Sequence, residues 1–273
     1  MNQVPELTLN NGVSIPQLGF GVWQVSSDDI VASVAKALEV GYRHIDTAAA
    51  YGNEDGVGMA IAESGIDRSE LFVTTKLWSA DHGNAAEAFD KSLDNLGLDY
   101  VDLYLIHWPA PGRGLYIDAW KELEKIYADG RAKSIGVSNF MPHHLRRLLA
   151  ATTVVPAVNQ IEVHPTNAQN EVQAVNAEHE VLTEAYSPLG LAEDLTAPDV
   201  ITIAERLGRT PAQVILRWHI QGGRIVFPKS VTPARIAENF DIFDFELDAT
   251  DIGAINALDT GNRLGGDPDT FNG

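Results

Sequence analysis

The sequence predicts an α/β protein: a (β/α)8 barrel with a short N-terminal β-hairpin, in one domain over residues 1–273. Short apolar runs alternate with amphipathic helical segments, the pattern of parallel strands joined by crossover helices. Eight such runs occur in this length, and an eightfold repeat within about 250 residues is typical of a closed barrel. No linker or low-complexity tract marks a second domain.

The predicted hairpin comes first. Residues 7–9 and 13–15 flank Asn10-Asn11-Gly12, a turn that requires a positive φ. The predicted barrel strands then cover residues 18–19, 44–46, 71–77, 101–107, 134–137, 157–161, 181–185 and 225–228.

Amphipathic segments separate these runs and include residues 28–39, 84–96, 119–128, 169–179 and 211–220. In the first of them, apolar side chains recur at helical spacing. The last begins with Thr210 followed by Pro211, an N-cap residue and a proline at the first helical position. The alternation therefore predicts a helix after most strands.

Charge and composition exclude several classes of function. The chain has 19 Lys and Arg against 38 Asp and Glu, a formal net charge of −19, which disfavours nucleic acid and anionic membrane partners. It has no cysteine, which excludes disulfides, thiolate catalysis and Cys-based zinc sites. Residues 1–6 lack a signal-peptide pattern, and no long apolar stretch follows, so we expect a cytoplasmic protein.

Polar residues follow the predicted strands at their carboxyl ends, where barrels carry their chemistry. These residues are Asp46, Lys76, His107, Ser138, Asn139, Gln160, Glu162, Tyr186, Ser187, Lys229 and Ser230. Any one of them is explained by a strand end becoming polar. The whole set predicts an active site.

Asp46, Tyr51, Lys76 and His107 together form a plausible proton-donating site. The phenol has a pKa near ~10 in water, and a neighbouring ammonium lowers that pKa. An aspartate would hold the ammonium, and a neutral histidine can orient a carbonyl oxygen. Taken singly, each residue also has a structural explanation, as a cap, a surface aromatic or a charge partner.

Three motifs identify a family. Residues 41–48 read GYRHIDTA and are followed by YGNE at 51–54; residues 133–140 read KSIGVSNF; residues 228–235 read PKSVTPAR. In this order they resemble the signatures of the aldo-keto reductases, and the similarity runs from the hairpin to about residue 258. The prokaryotic branch that includes 2,5-diketo-D-gluconate reductases is the most similar.

The resemblance implies NADPH-dependent reduction of aldehydes, ketones or dicarbonyls by a monomeric enzyme that acts on a small-molecule carbonyl substrate. Tyr51 would protonate the carbonyl oxygen, Lys76 with Asp46 would lower the pKa of Tyr51, and His107 would orient the substrate. No metal is implied. Two alternatives stay open: a Schiff-base lyase or isomerase that uses Lys76, and a barrel that binds the cofactor without turnover.

The charge pattern also favours NADPH. Lys229 and Arg235 flank the start of the last predicted barrel helix, where a helix N-terminus already attracts an anion. On so acidic a chain, two cations there suit the 2′-phosphate of NADP. The competing interpretation pairs Arg235 with Glu238 on a solvated helix face.

By resemblance, Glu238 and Asn239 would hold the adenine, and Tyr186 would stack on the nicotinamide. The full predicted cofactor set is Trp23, Ser138, Asn139, Gln160, Tyr186, Ser187, Leu189, Gly190, Lys229, Ser230, Val231, Thr232, Arg235, Glu238 and Asn239. The predicted substrate set is Trp23, Trp78, His107 and Trp108. Trp120 and Trp218 fall inside helical patterns and are predicted to pack in the core.

Three further expectations concern the loops and the tail. Glu193 and Asp194 lie where relatives carry a more neutral or basic cover for the pyrophosphate, which would weaken cofactor binding. The tail after Leu258 is short and rich in Gly and Asp, so we expect an open pocket that tolerates many small carbonyls. His143 and His144 are adjacent, and we expect them on an exposed helix surface rather than at a metal.

Overall fold

The N-terminal hairpin forms as predicted in the computed structural model, which describes residues 4–273. Glu6–Thr8 (β1) pairs antiparallel with Ser14–Pro16 (β2), and Leu7 lies opposite Ile15. Gly12 in the turn has a φ of +86°, as the turn requires. The predicted domain includes residues 1–3, and so does the segment in which no signal-peptide pattern was found. These three residues lie outside the described part of the chain.

A curled parallel sheet of eight strands follows in the described chain, with its strands in sequential order. The strands are β3 (Phe20–Gly21), β4 (His44–Asp46), β5 (Phe72–Leu77), β6 (Val101–Ile106), β7 (Ala132–Ser138), β8 (Val158–Glu162), β9 (Leu182–Tyr186) and β10 (Ile225–Val226). Each pairs only with its sequence neighbours in this order, which is the arrangement that right-handed strand–helix–strand units produce.

Helices surround this sheet. They are α1 (Ile30–Val40), α2 (Glu54–Glu63), α3 (Ala85–Leu96), α4 (Tyr116–Ala128), α5 (Pro142–Leu149), α6 (Asn170–Glu178), α7 (Pro198–Leu207), α8 (Pro211–Gln221), α9 (Pro233–Phe240) and α10 (Ala249–Asn256). At the start of α8, Thr210 and Gln213 cap each other's backbone, as the Thr-Pro signal predicts. Over residues 4–273, no helix combines the length and the hydropathy that crossing a membrane requires.

Several predicted boundaries are off by two or three residues, and three of them have a clear physical cause. The first barrel strand is at Phe20–Gly21, because Leu18 makes only an isolated bridge to Val226 while Phe20 pairs with β4. Helix α4 begins at Tyr116, whose buried ring extends the apolar face one turn toward the N-terminus. The last strand ends at Val226, since Pro228, two residues later, has no N–H to continue the ladder.

Side chains alternate across the sheet, and this alternation positions the site. Along β5, Val73 and Leu77 pack with the helices, whereas Phe72 belongs to a separate apolar cluster inside the curled sheet. Lys76 lies on the same face as Phe72, because side chains four positions apart on a strand point the same way. The inner face therefore changes from apolar at the amino end of the strand to charged at its carboxyl end.

The hairpin closes the amino end of the sheet. Leu9 and Ile15 are buried in the inner cluster together with Phe72, Leu103 and Ile225. Burying such side chains contributes roughly 1.5–3 kcal/mol each. The interior is thus filled at one end, and polar side chains and open space are left for the other.

The two tryptophans predicted in the core are confirmed. Trp120 and Trp218 are buried, and their indole N–H groups donate to the Val154 carbonyl and to Asn256 Oδ1. A buried indole that keeps a hydrogen-bond partner is a packing residue with no unmet polar group.

Helices α2 and α3 touch at a glycine. A Cβ on Gly58 would lie 2.1 Å from the carbonyl oxygen of Leu96, which is backbone and cannot rotate away. We expect Gly58→Ala to force the helices apart and to lower the free energy of unfolding by about 1–3 kcal/mol. A Cβ on the exposed helical Gly253 would meet nothing within 4 Å, so Gly253→Ala should instead stabilise by about 1 kcal/mol.

Thermal unfolding of the two variants measures this contrast directly. A Gly58→Ala protein that melts at or above the wild-type temperature would contradict the close packing of α2 on α3.

Candidate active site

One cavity of about 1020 Å³ opens at the carboxyl ends of the strands. It is lined by most of the polar residues that follow those strands, as predicted, and by three of the tryptophans. Among the predicted site residues, the structure brings together Trp23, Asp46, Tyr51, Trp78, His107, Trp108, Ser138, Asn139, Gln160, Tyr186, Ser187, Leu189, Lys229, Ser230, Arg235, Glu238 and Asn239. Lys76 lies directly behind Asp46 and Tyr51, fully buried.

The Lys76 ammonium donates hydrogen bonds to three groups in the floor of the cavity. Lys76 Nζ lies 2.7 Å from Asp46 Oδ1, 2.8 Å from the Thr47 carbonyl oxygen and 3.4 Å from the Tyr51 hydroxyl. These three acceptors use the three N–H donors that an ammonium carries. The arrangement fixes the positive charge beside the phenol.

Burial and neighbouring charges have opposite effects on the pKa values of Lys76 and Tyr51. Burial lowers the pKa of Lys76, but Asp46 and Tyr51 more than offset it, so the pKa lies above its ordinary value. Burial raises the pKa of Tyr51, Lys76 lowers it, and the Asp46 carboxylate raises it again. The net direction at Tyr51 is opposite to the predicted one, because desolvation outweighs the ammonium. Tyr51 therefore holds its proton at neutral pH, and Lys76 stays charged.

His107 is neutral. Its ring is buried, and burial followed by the Lys76 charge lowers its pKa well below the usual range. The ring lies edge-on to Tyr51 and to Trp78, with centroids 5.6 and 5.4 Å away. A neutral imidazole at this position offers a hydrogen-bond donor without placing a second cation beside Lys76.

Gln160 is held by two carboxyl groups. Its Nε2 donates to Asp46 Oδ2 and to Glu184 Oε2, each at 2.9 Å. Both amide hydrogens are thus used, and its carbonyl oxygen is left for a ligand in the cavity. Ser138 and Asn139 lie beside it: Ser138 Oγ donates to the Gln160 backbone carbonyl, and Asn139 Oδ1 accepts from the Tyr186 hydroxyl.

Near the start of α9, two cations that line the cavity have no anionic partner among residues 4–273. Lys229 and Arg235 are exposed, line the cavity and form no ion pair there. Glu238 accepts a hydrogen bond from Thr210 Oγ1 rather than pairing with Arg235. The competing interpretation of Arg235 as an i,i+3 partner therefore fails, and two cations without a protein partner are left near the start of α9.

Strained backbone is concentrated around this cavity. Five of the eight non-glycine residues with positive φ line it: Gln24, Asn139, Ser187, Leu191 and Ala192. Each such conformation costs of the order of 1 kcal/mol or more and is kept only where the surroundings impose it. The clustering is an independent indication that this cavity is the functional site.

Three predicted cofactor residues do not line the cavity: Gly190, Val231 and Thr232. Gly190 is buried and has a positive φ of 58°, and its lack of a Cβ lets the Asp194 carboxylate approach where a side chain would clash. Val231 is exposed, and Thr232 precedes α9 with its backbone N–H bonded to Ser230 Oγ.

The tail contradicts the expected open pocket. Leu264, Gly265 and Phe271 line the cavity, and Phe271 packs on Trp108 with ring centroids 4.3 Å apart. The N–H groups of Leu264 and Gly265 donate to the Glu162 carboxylate, both at 2.7 Å. These hydrogen bonds hold the tail over the tryptophan walls, so the expectation of an uncovered substrate end was wrong.

The loop that contains Glu193 and Asp194 does not place both acidic side chains in the cavity, where they were expected to weaken cofactor binding. Asp194 turns inward, where its Oδ2 lies 2.7 Å from His164 Nδ1, while His164 Nε2 lies 3.1 Å from Glu162 Oε1. Although burial opposes it, these two carboxylates raise the pKa of His164 to about 9. The Asp194 carboxylate is therefore paired with the His164 imidazolium inside the protein, and Glu193 does not line the cavity.

The adjacent histidines are not both exposed. His144 is buried, and ligand atoms of His143, His144 and Asp269 lie within 4.8 Å of one another. The Met141 N–H donates to His144 Nδ1, which places the ring proton on Nε2. His144 Nε2, which then carries the proton, lies 3.6 Å from Asp269 Oδ1, and a protonated ring nitrogen cannot bind a cation. The absence of a metal there stays a prediction.

Comparisons with known proteins agree with this geometry. The model of the aldo/keto reductase family matches residues 17–260. An aldo-keto reductase of Mycolicibacterium smegmatis is 56% identical over 270 residues, 98% of each chain. Methylglyoxal reductase DkgA of Escherichia coli is 51% identical over 272 residues, again 98% of each chain.

A crystal structure of a Gox0644 variant in complex with NADPH has a TM-score of 0.95 and 44% identity, and the match covers 99% of both chains. The free cations at one end of the cavity and the buried proton donor in its floor fit a phosphorylated nicotinamide cofactor and a carbonyl substrate. The chain belongs to the aldo/keto reductase family, and it is an NADPH-dependent oxidoreductase that reduces carbonyl groups.

Proposed function

We propose that this enzyme reduces small aldehydes and α-dicarbonyl compounds, with Tyr51 as the proton donor. The observation that carries the proposal is the contact of Tyr51 with the buried Lys76–Asp46 ion pair at the floor of the cavity. The relative named methylglyoxal reductase supports a small α-dicarbonyl substrate. The aromatic walls, formed by Trp78, Trp108 and Phe271, support an apolar pocket of limited size.

Bound NADPH supplies the hydride, and the residues in the floor of the cavity would orient the carbonyl group and donate the proton. His107, neutral and buried, would donate to the carbonyl oxygen and orient it. The Tyr51 hydroxyl would then give its proton to that oxygen as negative charge develops, and the Lys76 ammonium at 3.4 Å would stabilise the phenolate left behind. Water at the open mouth would return the proton to Tyr51.

The charged state of Lys76 argues against the Schiff-base alternative. A lysine that attacks a carbonyl must be neutral, and here Asp46 and Tyr51 raise its pKa. All three of its donors are also used, so the nitrogen has no free direction for attack.

The cofactor contacts are proposals of the same kind. Lys229 and Arg235 would bind the 2′-phosphate, with the start of α9 beside them. Ser138, Asn139 and the free carbonyl oxygen of Gln160 would hold the carboxamide. We further propose that Tyr186 stacks on the nicotinamide, that Glu238 and Asn239 contact the adenine, and that Trp23, Ser187, Leu189 and Ser230 complete the site. Gly190, Val231 and Thr232 do not line the cavity and are not proposed as contacts.

We also propose that the sheet closes into a single-domain (β/α)8 barrel. The supporting observation is the parallel bridge between Leu18 and Val226, in which the Val226 N–H donates to Gln17 and the Gly19 N–H donates to Val226, both at 3.0 Å. A monomeric, cytoplasmic enzyme without nucleic acid or membrane partners stays a prediction, which size-exclusion chromatography and cell fractionation can test.

The test is consumption of NADPH by the purified protein with a panel of small aldehydes, α-dicarbonyls and keto-sugars. We expect the highest kcat/KM for methylglyoxal and similarly small carbonyls. Tight NADPH binding without turnover of any carbonyl would instead support a cofactor-binding protein.

The 2′-phosphate contact gives a separate prediction. We expect Arg235→Ala to raise the KM for NADPH by about 10- to 100-fold, because a charge-assisted hydrogen bond contributes about 1.5–3 kcal/mol. The KM for NADH should change little, so the preference for NADPH should shrink. Arg146→Ala, which removes an exposed arginine outside the cavity, is the matched control. Equal losses with both cofactors would place Arg235 away from the 2′-phosphate.

A further inference from the structure

One buried carboxyl group beside the active site has no part in the mechanism above. Glu184 lies on β9 with no exposed surface, and its Oε2 accepts from Gln160 Nε2 at 2.9 Å. The same nitrogen donates to Asp46 Oδ2 at 2.9 Å, and Asp46 Oδ1 lies 2.7 Å from Lys76 Nζ. A continuous chain of hydrogen bonds therefore runs from Glu184 to the ammonium beside Tyr51.

The surroundings of Glu184 favour its neutral form. Its Oε1 has no hydrogen-bond partner in the described part of the chain, and an ionised oxygen without a partner is costly in a dry interior. The flanking strands β8 and β10 place the uncharged Gln160 and Ile225 opposite it. The nearest charges are Asp46, which repels a second carboxylate, and Lys76, which Asp46 already neutralises.

We propose that Glu184 is a positioning residue for carbonyl reduction: through Gln160 and Asp46 it sets the net charge beside Lys76 and thereby controls how readily Tyr51 releases its proton. The proposal rests on the assignment of Tyr51 as the proton donor. It gives Glu184 no contact with substrate or cofactor.

The charge balance of the interior explains the effect. With Glu184 neutral, the Asp46 carboxylate and the Lys76 ammonium cancel. With Glu184 ionised, the same interior holds one uncompensated negative charge, which disfavours the Tyr51 phenolate that proton transfer creates. Burial, with a further contribution from Asp46, raises the pKa of Glu184 to about 8. Reduction should therefore slow as the pH rises through this value.

The reverse reaction responds to the same charge. Oxidation of the alcohol requires the Tyr51 phenolate as a base, and an ionised Glu184 opposes its formation. Removal of the Glu184 charge should thus raise the oxidation rate at alkaline pH while it also removes the alkaline loss of reduction. A residue with only a packing role would change neither pH profile.

Glu184→Gln tests the proposal, because the amide keeps the shape and can still accept from Gln160. In the wild type we expect kcat for reduction to fall about tenfold between about pH 6.5 and about pH 9.5, and in Glu184→Gln we expect most of this fall to disappear. Oxidation by the variant near about pH 8.5 should exceed the wild-type rate. Glu205→Gln, at an exposed position on α7, should behave as the wild type.

A second readout needs no turnover. Carbon-13 NMR of glutamate-labelled apoprotein should show one carboxyl group that titrates near pH 8, and this titration should be absent from Glu184→Gln. Melting temperature and NADPH affinity report whether the variant is folded. If it does not fold, the wild-type titration decides alone: a carboxyl group titrating near pH 8 supports the proposal, and its absence overturns it.

Unchanged pH profiles in a folded Glu184→Gln protein would also overturn the proposal. Failure of the proton-donor assignment would look different, since Tyr51→Phe would then retain turnover whatever Glu184 does.

Discussion

Tyr51→Phe is expected to reduce kcat for carbonyl reduction by about 10²–10⁴-fold, the usual contribution of a positioned general acid. The substitution removes one oxygen atom, whose only hydrogen bond among residues 4–273 is the one that it accepts from Lys76 Nζ at 3.4 Å. The aromatic ring can stay edge-on to His107, so the pocket should keep its shape. Without the hydroxyl, the group that we propose as the proton donor is gone, and His107 and Lys76 can stabilise the developing negative charge only through hydrogen bonding and charge.

The measurement separates binding from chemistry. Fluorescence titration with NADPH should give nearly the wild-type Kd, while single-turnover rates should show the full loss. Tyr127→Phe, a half-buried tyrosine on α4 outside the cavity, is the control and should retain wild-type rates. Substantial turnover by Tyr51→Phe, together with trapping of substrate on Lys76 by borohydride, would reverse the assignment in favour of a Schiff base.

His164→Gln is expected to lower the free energy of unfolding by about 3–5 kcal/mol, the usual cost of removing one partner from a buried ion pair. It would leave the buried carboxylates of Glu162 and Asp194 without the imidazolium between them. Because a domain is stabilised by only about 5–15 kcal/mol in total, such a loss is a large share.

The pH dependence of this effect has a definite sign. His164 is raised from its ordinary pKa to about 9, so its contribution is full below about pH 6.5 and is lost as the pH rises through about 9. The pKa values of Glu162 and Asp194 are lowered, although burial acts against this, because both accept hydrogen bonds from His164. Their contribution is therefore lost as the pH falls below the ordinary carboxyl range.

Between about pH 6.5 and about pH 10, the free energy of unfolding should fall about 3 kcal/mol further for the wild type than for His164→Gln, while the raised pKa of Glu184 lowers both curves alike. Denaturant titration at several pH values measures both curves. His179→Gln, at a half-buried histidine that forms no ion pair in the described chain, is the control. A His164→Gln protein with wild-type stability at neutral pH would mean that the two carboxylates are not ionised together.

The residues that follow the strands could be predicted because parallel strands bring their carboxyl ends to one edge. Lys76 lies on β5 and His107 follows β6, so a helix separates them in sequence, yet both lie beside Tyr51 for this reason. Periodicity located the strands, and the barrel rule then specified which side chains should converge. The motifs of the family suggested the roles but were not needed to find the positions.

The tail and the ion cluster could not be predicted in the same way. Phe271 reaches Trp108 from a distant part of the chain, and no periodic pattern in an irregular tail indicates such a contact. The pairing of His164 with Asp194 depends on how two loops pack, which local propensity does not encode. Glu184 was within reach of sequence reasoning, since a charged residue inside an apolar strand run is itself a signal.

The strained backbone around the cavity sets a limit on how far this enzyme can be stabilised. Glycine would relax the left-handed conformations of Ser187, Leu191 and Ala192, and would make that loop easier to fold. At Asn139 the same replacement would remove the side chain that binds the Tyr186 hydroxyl and the His107 carbonyl. At Asn139 the strained backbone is therefore kept because its side chain holds two parts of the site together, whereas glycine at the other three positions offers a route to stabilisation.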